Sequence, residues 1–167
     1  MSSNDAKLKP PLTAHCVVLT IHDGTSSNHD TGGKLIESLL HEKGHEVVYR
    51  RVVKHSSAAI REAIAEALAD EECEAIITNG GTGLTHKDET FETLAGLYEK
   101  RLAGFGDVFN ALAYSELGAA CLLYRPSAGV VEKHPVFSLP GDHNAIRIGM
   151  EKLVLPELGT ILAELQK

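Results

Sequence analysis

Short, continuously apolar segments alternate along this chain with segments whose apolar residues recur at helical spacing. The first apolar segment, His15–Ile21, is followed by a pattern of leucine and isoleucine on one helical face between Thr31 and Gly44. Strands that are apolar throughout, with helices between them, are typical of a parallel sheet that is covered on both faces. The sequence therefore predicts an α/β fold with a mostly parallel central sheet.

The pattern gives an outline of the elements. Residues 1–12 are polar and contain two prolines, which predicts a flexible tail before a single domain over residues 13–167. The predicted strands are His15–Ile21, Glu46–Val53, Ala75–Thr78, Ala119–Tyr124 and Pro135–Leu139. The predicted helices begin at Thr31, at Ser56 or Ser57, after Gly83, at Val108, after Gly141 and at Pro156.

Charge and cysteine content exclude several classes of protein. The formal net charge is −7 over 167 residues, whereas general binders of nucleic acid or of membrane surfaces need a basic face. Cys16, Cys73 and Cys121 are widely separated and odd in number, which argues against a disulfide framework and against a cysteine zinc site. The N-terminus lacks the apolar middle of a signal peptide. These features predict a cytoplasmic protein that contacts neither nucleic acid nor membrane.

Two glycine-containing loops follow predicted strands and precede predicted helices. One is Asn79–Gly83, and the other is Pro140-Gly141 after the strand that ends at Leu139. Glycine allows a close approach of the backbone to a ligand, and a helix N-terminus attracts anions. The same glycines also suit ordinary tight turns, so the spacing alone leaves phosphate binding and turn formation both open. Gly83 is not followed by Lys-Ser/Thr, so the first loop is not a Walker A loop.

Carboxylates lie close to these loops in the sequence. Asp88 and Glu92 are spaced i, i+4 and would share a face at the start of a helix, where they could complement the helix dipole. Asp88 could instead hold a hydrated Mg²⁺ that bridges substrate phosphates. The polar loop His22–Asp30 ends at the same predicted sheet edge and forms either a ligand wall or a solvated surface.

Histidines and isolated basic residues add further candidates at this edge. Nine histidines are present, but among those in loops predicted at this edge no pair has the i, i+4 spacing of a helical zinc site, so the pattern does not favour a transition-metal centre. Arg125, Lys133 and Arg147 could each neutralise an anion, although an isolated basic residue is more often simply a surface residue. The histidines in loops predicted at this edge are His22, His29, His55, His86 and His143.

An ordered set of motifs resembles the MoaB/Mog family of molybdopterin-binding domains. The resemblance covers the chain from about Cys16 to Val154. The order of the motifs, more than any one of them, is specific. The matching segments are Asp30–Gly33, Thr78–Leu84 followed by Asp88, Thr90 and Glu92, Gly104–Phe109, Glu116–Gly118, Arg125 with Ala128–Gly129, and Leu139–Ala145.

The resemblance implies a three-layer α/β/α sandwich that assembles as a trimer or hexamer and acts in molybdenum cofactor biosynthesis. Active members use Mg²⁺ and ATP to adenylylate the terminal phosphate of molybdopterin, and no tightly bound cofactor is expected. By carry-over, Asp88 is the catalytic and metal-binding carboxylate. The implied substrate-binding residues are Asp23, Asp30, Asn79, Gly80, Gly81, Thr82, Gly83, Thr90, Glu92, Ser138, Pro140 and Gly141.

Four positions depart from the family pattern, and one of them is Asn79, where the family usually has threonine or a small residue. His55 stands where adenylyltransferase members commonly carry an acidic residue, and an imidazole is a poorer Mg²⁺ ligand than a carboxylate. Asp142 places a negative charge after Pro-Gly, where an anion would be held, and Tyr124 replaces the usual serine before the arginine. The sequence therefore also leaves open a non-catalytic member of the family that binds molybdopterin or serves as a scaffold.

Overall fold

The computed structural model describes residues 12–24 and 30–167, and the tail predicted over residues 1–12 lies almost wholly outside them. The strands are β1 (His15–Ile21), β2 (Glu46–Val53), β3 (Ala75–Asn79), β4 (Lys100–Arg101), β5 (Ser127–Val131) and β6 (His134–Leu139). The α-helices are α1 (Thr31–Glu42), α2 (Ser57–Ala69), α3 (Thr90–Leu97), α4 (Ala103–Leu117), α5 (His143–Gly149) and α6 (Leu155–Leu165). A 3₁₀ segment, Gly118–Leu123, follows α4, and a π-helical turn, Met150–Val154, joins α5 to α6.

The six strands form one sheet in the order β2-β1-β3-β6-β5-β4. The first four of these strands run parallel, while β5 is antiparallel to β6 and β4 is antiparallel to β5. After β1 the chain therefore forms β2 on one side of β1, and it then crosses over to form β3 on the other side of β1. Parallel strands that diverge in this way leave a crevice at their carboxyl ends. The predicted, mostly parallel α/β fold is confirmed.

Alternate side chains of the central strands pack into two cores, one on each face of the sheet. Val18 faces a core that includes Ile36 of α1 and Ile146 of α5, whereas Val17 faces a core that includes Ile60 of α2 and Leu94 of α3. Each fully buried side chain of this size stabilises the fold by about 1.5–3 kcal/mol. The two cores hold the carboxyl ends of β1, β3 and β6 in fixed register.

The prediction of a strand at Ala119–Tyr124 is wrong. All of these residues except Tyr124 belong to the 3₁₀ segment, which Tyr124 follows, and Leu122 is 78% exposed there. A short apolar run looks the same whether it is a strand or a turn at the end of a helix, and only the backbone at Gly118 (φ 70°) separates this run from α4. The strand that the sheet actually uses, β5, is less apolar because it contains Ser127 and Gly129.

Three helix starts refine the predictions. The cap of α1 is Asp30, one residue before the predicted Thr31, and its carboxylate accepts a hydrogen bond from the amide of Gly33 at 2.9 Å. Ser56 caps α2 as predicted. The fourth helix begins at Ala103, five residues before the predicted start at Val108. The prediction missed these residues because the glycines among them conceal the helical pattern.

Within residues 12–24 and 30–167, no helix has the length and apolarity needed to cross a membrane.

Candidate functional site

A cavity of about 430 Å³ opens at the carboxyl edge of the sheet, where β1, β3 and β6 end. It brings together loops that the sequence analysis singled out separately. Its walls include most of the predicted substrate residues and Asp88. The lining residues are Thr20, Ile21, His22, Asp30, Thr31, Gly32, Val52, His55, Asn79, Gly80, Gly81, Thr82, Gly83, Asp88, Leu123, Tyr124, Pro140, Gly141 and Asp142.

The first glycine loop has a backbone that only glycine adopts easily. Gly80 and Gly81 have φ values of 92° and 68°, in the left-handed region. A Cβ at Gly80 would lie 2.5 Å from the carbonyl oxygen of Ile21, and one at Gly81 would lie 2.2 Å from Oγ1 of Thr90. These two glycines are therefore required both for the turn and for close packing.

The two glycine loops meet across the cavity. A Cβ placed on Gly141 would lie 3.5 Å from the Cα of Gly80, and the Gly80 amide donates to the carbonyl of Leu139 at 3.0 Å. Thr90 stabilises the first glycine loop through two hydrogen bonds. Its Oγ1 donates to the Gly80 carbonyl and its amide donates to the Gly81 carbonyl, both at 3.1 Å. Thr90 is fully buried and does not line the cavity, so it supports the loop from within the protein, whereas the resemblance implied that it binds substrate.

Main-chain amides of this loop are available to a ligand. Gly81 and Thr82 line the cavity, and their main-chain amides donate to no atom of the described residues. The first turn of α1 adds Thr31 and Gly32 to the same wall. Unpaired amides at loops and helix N-termini bind phosphate or carboxylate oxygens, so the cavity can hold an anion without a nearby free lysine or arginine.

Asp88 lies at the cavity with its carboxylate oriented by its own loop. Its Oδ2 accepts hydrogen bonds from the amide of Thr85 at 3.0 Å and from Oγ1 of Thr85 at 2.8 Å. Partial burial raises the pKa of Asp88, but the hydrogen bonds from Thr85 and the charge of His55 outweigh it, so the pKa lies below its ordinary value. Asp88 is therefore ionised and held in one orientation, as a metal-binding or activating carboxylate must be.

Glu92 points away from this cavity, although it was predicted to bind substrate. It lies in a second depression of about 550 Å³ behind the loop, and there it pairs with the guanidinium of Arg125. The hydrogen bond from Arg125 is the main cause that lowers the pKa of Glu92. Arg125, which the sequence offered as an anion countercharge, also lies in this depression and donates to loop carbonyls.

A chain of buried polar groups forms the floor of the cavity. Asn79 Nδ2 donates to Oγ1 of Thr20 at 2.9 Å, and that hydroxyl donates to Oδ1 of Asp30 at 2.6 Å. The other oxygen of Asp30 pairs with Nη1 of Arg50 at 2.7 Å. Asp30 and Asn79 thus contribute to the wall through atoms that are already bonded within the protein. The sequence could not show this role for Arg50, which lies on β2, 20 residues after Asp30 in the chain.

Two further predicted residues lie outside the cavity wall. Asp23 is more than half exposed, and its Oδ1 accepts a hydrogen bond from the amide of His55 at 3.1 Å, so it positions the His55 loop. Ser138 is completely buried in β6, and its hydroxyl has no partner among the described residues. Pro140 and Gly141, which follow it, do line the cavity.

Asp142 lies at the N-terminus of α5. Its carboxylate caps α5 by accepting a hydrogen bond from the amide of Ala145 at 3.0 Å. Burial and the neighbouring Asp142 raise the pKa of Tyr124, which lines the cavity beside it. The negative charge expected to repel an anion is therefore partly neutralised by the N-terminus of α5.

The histidines that the structure describes do not assemble a metal centre. His22 and His55 line the cavity, whereas His86 lies in the second depression and His143 bonds to Oγ1 of Thr31. His29 lies outside the described residues. Over residues 12–24 and 30–167, no cluster of three or more His, Cys, Asp or Glu side chains could hold a metal ion. The ring nitrogen Nδ1 of His55 is buried and lacks a partner within those ranges.

Sequence and structure comparisons agree on one family. Residues 17–160 match the family model described as "Probable molybdopterin binding domain". The chain is 36% identical to molybdenum cofactor biosynthesis protein B of Bacillus subtilis, over 100% of this chain and 99% of that protein. Its fold matches a crystal structure of a molybdenum cofactor biosynthesis protein B with a TM-score of 0.92 and 37% identity, over 95% of this chain and 99% of that one.

A second solved structure supports the same assignment. The tungsten cofactor synthesizing protein MoaB from Pyrococcus furiosus matches with a TM-score of 0.85 and 34% identity, over 95% of this chain and all of that chain. The family match spans the glycine loops, Asp88 and the strands that carry them. The chain therefore belongs to the molybdopterin-binding domain family that includes the B proteins of molybdenum cofactor biosynthesis.

Proposed function

We propose that this protein is a molybdenum cofactor biosynthesis enzyme that adenylylates molybdopterin with Mg-ATP. The observation that carries the proposal is the placement of Asp88 at the same cavity as the unpaired amides of Gly81 and Thr82. An ionised carboxylate beside a cradle of amides suits a ligand that carries phosphate groups and a divalent cation. The family relationship supports molybdopterin as that ligand.

In the proposed reaction an oxygen of the terminal molybdopterin phosphate bonds to the α-phosphorus of ATP. The bond from that phosphorus to the pyrophosphate oxygen breaks, and pyrophosphate leaves. The amides of Gly81 and Thr82 hold phosphate oxygens, and the rigid turns at Gly80 and Gly141 fix the two walls between which the reacting groups align. In phosphoryl-type transfers, positioning and stabilisation of charge supply most of the rate enhancement.

The oxygen ligands that the cavity offers fit a magnesium ion that is coordinated mainly by the phosphates of the substrate. Mg²⁺ usually keeps several waters and takes only one or two protein carboxylates together with substrate phosphates. Both hydrogen bonds from Thr85 go to Oδ2 of Asp88, which leaves lone pairs of Oδ1 for such an ion. When bound there, Mg²⁺ would neutralise phosphate charge that the acidic chain, with its net charge of −7, would otherwise repel.

The test is direct. The purified protein, given molybdopterin and Mg-ATP, should release pyrophosphate and form adenylylated molybdopterin, and Asp88→Asn should lower the rate by at least about 100-fold. Asp107→Asn, which removes an exposed carboxylate of α4, is the matched control and should retain the activity. Turnover by the wild type that survives Asp88→Asn would disprove the role given to Asp88.

A non-catalytic function is favoured by one observation. His55 lines the cavity beside Asp88, where a second carboxylate would bind a divalent cation better. A scaffold or carrier member would bind molybdopterin without releasing pyrophosphate from Mg-ATP. Measuring molybdopterin binding and pyrophosphate release on the same preparation separates the two functions.

We also propose that the protein is a homo-oligomer, either a trimer or a hexamer. Large apolar side chains remain exposed on α4 and on the 3₁₀ segment after it, including Tyr114 at 64% and Leu122 at 78%. Exposed apolar residues that cluster on one side of a domain often mark an interface. Light scattering at several protein concentrations would give the mass of the particle.

A further inference from the structure

Arg125 is enclosed by the glycine loop and does not face the cavity. Its Nη2 donates to the carbonyl of Gly83 at 2.6 Å and to the carbonyl of Asp88 at 3.2 Å. Its Nε donates to the carbonyls of Thr82 and Gly83 at 3.3 and 3.0 Å. One side chain from outside the loop therefore binds both the glycine turn and the residue that carries the carboxylate.

These contacts argue against a role for Arg125 as a countercharge to substrate in the cavity. A guanidinium has five N–H donors, and those of Nε and Nη2 are engaged by the loop carbonyls. Nη1 pairs with Oε1 of Glu92. Arg125 is absent from the cavity wall, although Leu123 and Tyr124 just before it line that wall. Its charge is thus directed to the main chain of the loop.

Arg125 and Asp88 hold the loop from opposite sides. The carbonyl and the amide of one peptide unit point in opposite directions, so the carbonyl of Thr82 faces Arg125 while the amide of Gly83 points away from it. On that other side lies the Asp88 carboxylate, and its interaction with the Gly83 amide is one of the causes that lower the pKa of Asp88. The loop is therefore clamped between the guanidinium and the carboxylate.

Glu92 and Phe91 hold the guanidinium itself. Glu92 accepts hydrogen bonds from Nη1 and, at 3.4 Å, from Nη2. The Arg125 Cζ lies 5.3 Å from the centre of the Phe91 ring, within the range of a cation–π contact. Both residues belong to α3, so Arg125 ties the start of that helix to the loop that precedes it.

We propose that Arg125 is a positioning residue, anchored by Glu92, that holds the segment from Thr82 to Asp88 in the form that presents the amides and the Asp88 carboxylate to the ligand. The inference rests on the proposed function for its kinetic consequence, because a displaced carboxylate and displaced amides would lose their alignment with the phosphates. A displacement of about 1 Å in such a site can cost 100-fold in rate.

Two substitutions separate positioning from simple charge. Arg125→Ala removes all the contacts, whereas Arg125→Lys keeps the charge but cannot reproduce the planar fork that spans several carbonyls. If Arg125 positions the loop, both variants should lose about 100-fold in kcat. A countercharge role predicts instead that Arg125→Lys stays close to the wild type. Arg51→Ala, which removes an exposed arginine paired with Glu66, is the control.

A second readout does not depend on any activity. The Thr85 amide is bonded to Asp88, so its hydrogen exchange reports whether the carboxylate is held. In the ligand-free protein, both Arg125 variants should exchange this amide about tenfold faster than the wild type. The Ile76 and Ile77 amides in β3 should stay protected and so show that the variant is folded. If Arg125→Ala does not fold, Arg125→Lys, which has a similar volume, provides the same comparison.

The outcomes distinguish this inference from the proposed function. If the wild type releases no pyrophosphate, the proposed reaction is disproved. If the Thr85 amide nevertheless exchanges faster in the Arg125 variants, the positioning role remains. Unchanged exchange of the Thr85 amide, or an Arg125→Lys variant with wild-type exchange and kcat, would overturn the inference.

Discussion

Thr20 and Asp30 are joined by a buried hydrogen bond of 2.6 Å at the floor of the cavity. The bond lies at the centre of a chain of polar groups that begins at Asn79 and ends at Arg50. Asp30 also caps α1, whose first turn forms part of the wall. One carboxylate therefore joins β1, α1 and β2 at the carboxyl edge of the sheet.

Replacing Asp30 should destabilise the whole domain. Asp30→Ala leaves the Thr20 hydroxyl without its acceptor, the N-terminus of α1 without its cap, and the partly buried Arg50 with one partner fewer. We expect the free energy of unfolding, measured with urea, to fall by about 3 kcal/mol. Glu37→Ala removes the other, more exposed partner of Arg50 and should cost less than about 1 kcal/mol. Equal losses in the two variants would contradict the central place of Asp30.

Gly81→Ala should damage the anion-binding loop. The residue has a φ of 68°, and the new Cβ would overlap Oγ1 of Thr90, so the loop must shift or Thr90 must turn. We expect at least a tenfold loss of affinity for Mg-ATP, measured by calorimetry, and a loss of stability of about 1–3 kcal/mol. Gly104→Ala, in α4, is the matched control, because a Cβ added at Gly104 would have no atom within 4 Å. This variant should leave the stability of the protein unchanged or raise it slightly.

Thr85→Ala should raise the pKa of Asp88 toward its ordinary value of 3.8. The substitution removes the hydroxyl donor but keeps the amide donor, so part of the lowering remains. A carboxyl whose pKa is lowered in the folded protein stabilises it above the unfolded pKa, and that contribution is lost as the pH falls through the folded pKa. The stability difference between wild type and Thr85→Ala should therefore be present at neutral pH and should vanish in strong acid.

Carbon NMR titration of the Asp88 carboxyl measures this shift directly. Thr160→Ala, at an exposed position of α6, is the control and should leave the Asp88 titration unchanged. A Thr85→Ala variant that titrates like the wild type would show that the Thr85 hydroxyl does not stabilise the carboxylate.

His55→Asp should strengthen the binding of a divalent cation. The amide of His55 is held by Asp23, so the new carboxylate would stand at the cavity wall near Asp88, where hard cations prefer oxygen ligands. We expect Mn²⁺, followed by electron paramagnetic resonance, to bind about tenfold more tightly. His41→Asp adds the same charge at the far end of α1 and should leave the affinity near that of the wild type. Equal gains in both variants would mean that bulk charge is responsible.

The sequence predicted the parts of the site that depend on local backbone. The glycines of Asn79–Gly83 had to lie at the end of a strand, because their conformation and the following helix are properties of neighbouring residues. The burial of Asn79 could not be predicted, since it depends on Thr20 from a different strand. The loop was predicted to begin at Asn79, but this residue ends β3.

Long-range pairing explains the remaining differences. Lys100–Arg101 forms a strand only because β5 lies beside it, and a two-residue strand has no pattern of its own. Asp88 and Glu92 would share a face in an ideal helix, but Asp88 precedes α3 and its carboxylate bonds to Thr85, whereas Glu92 pairs with Arg125. The partner of Glu92, Arg125, lies after α4 and could be identified only in three dimensions.

The contact between Gly80 and Gly141 determines when the cavity can form during synthesis of the chain. The two walls of the cavity come from segments far apart in the chain, and the second belongs to the last parallel strand to be synthesised. A ribosome-bound chain that has exposed only the first glycine loop has half of a binding site. Both walls of the cavity therefore exist only after β6 has joined the sheet, so the presence of the cavity reports completed folding rather than the emergence of a local motif.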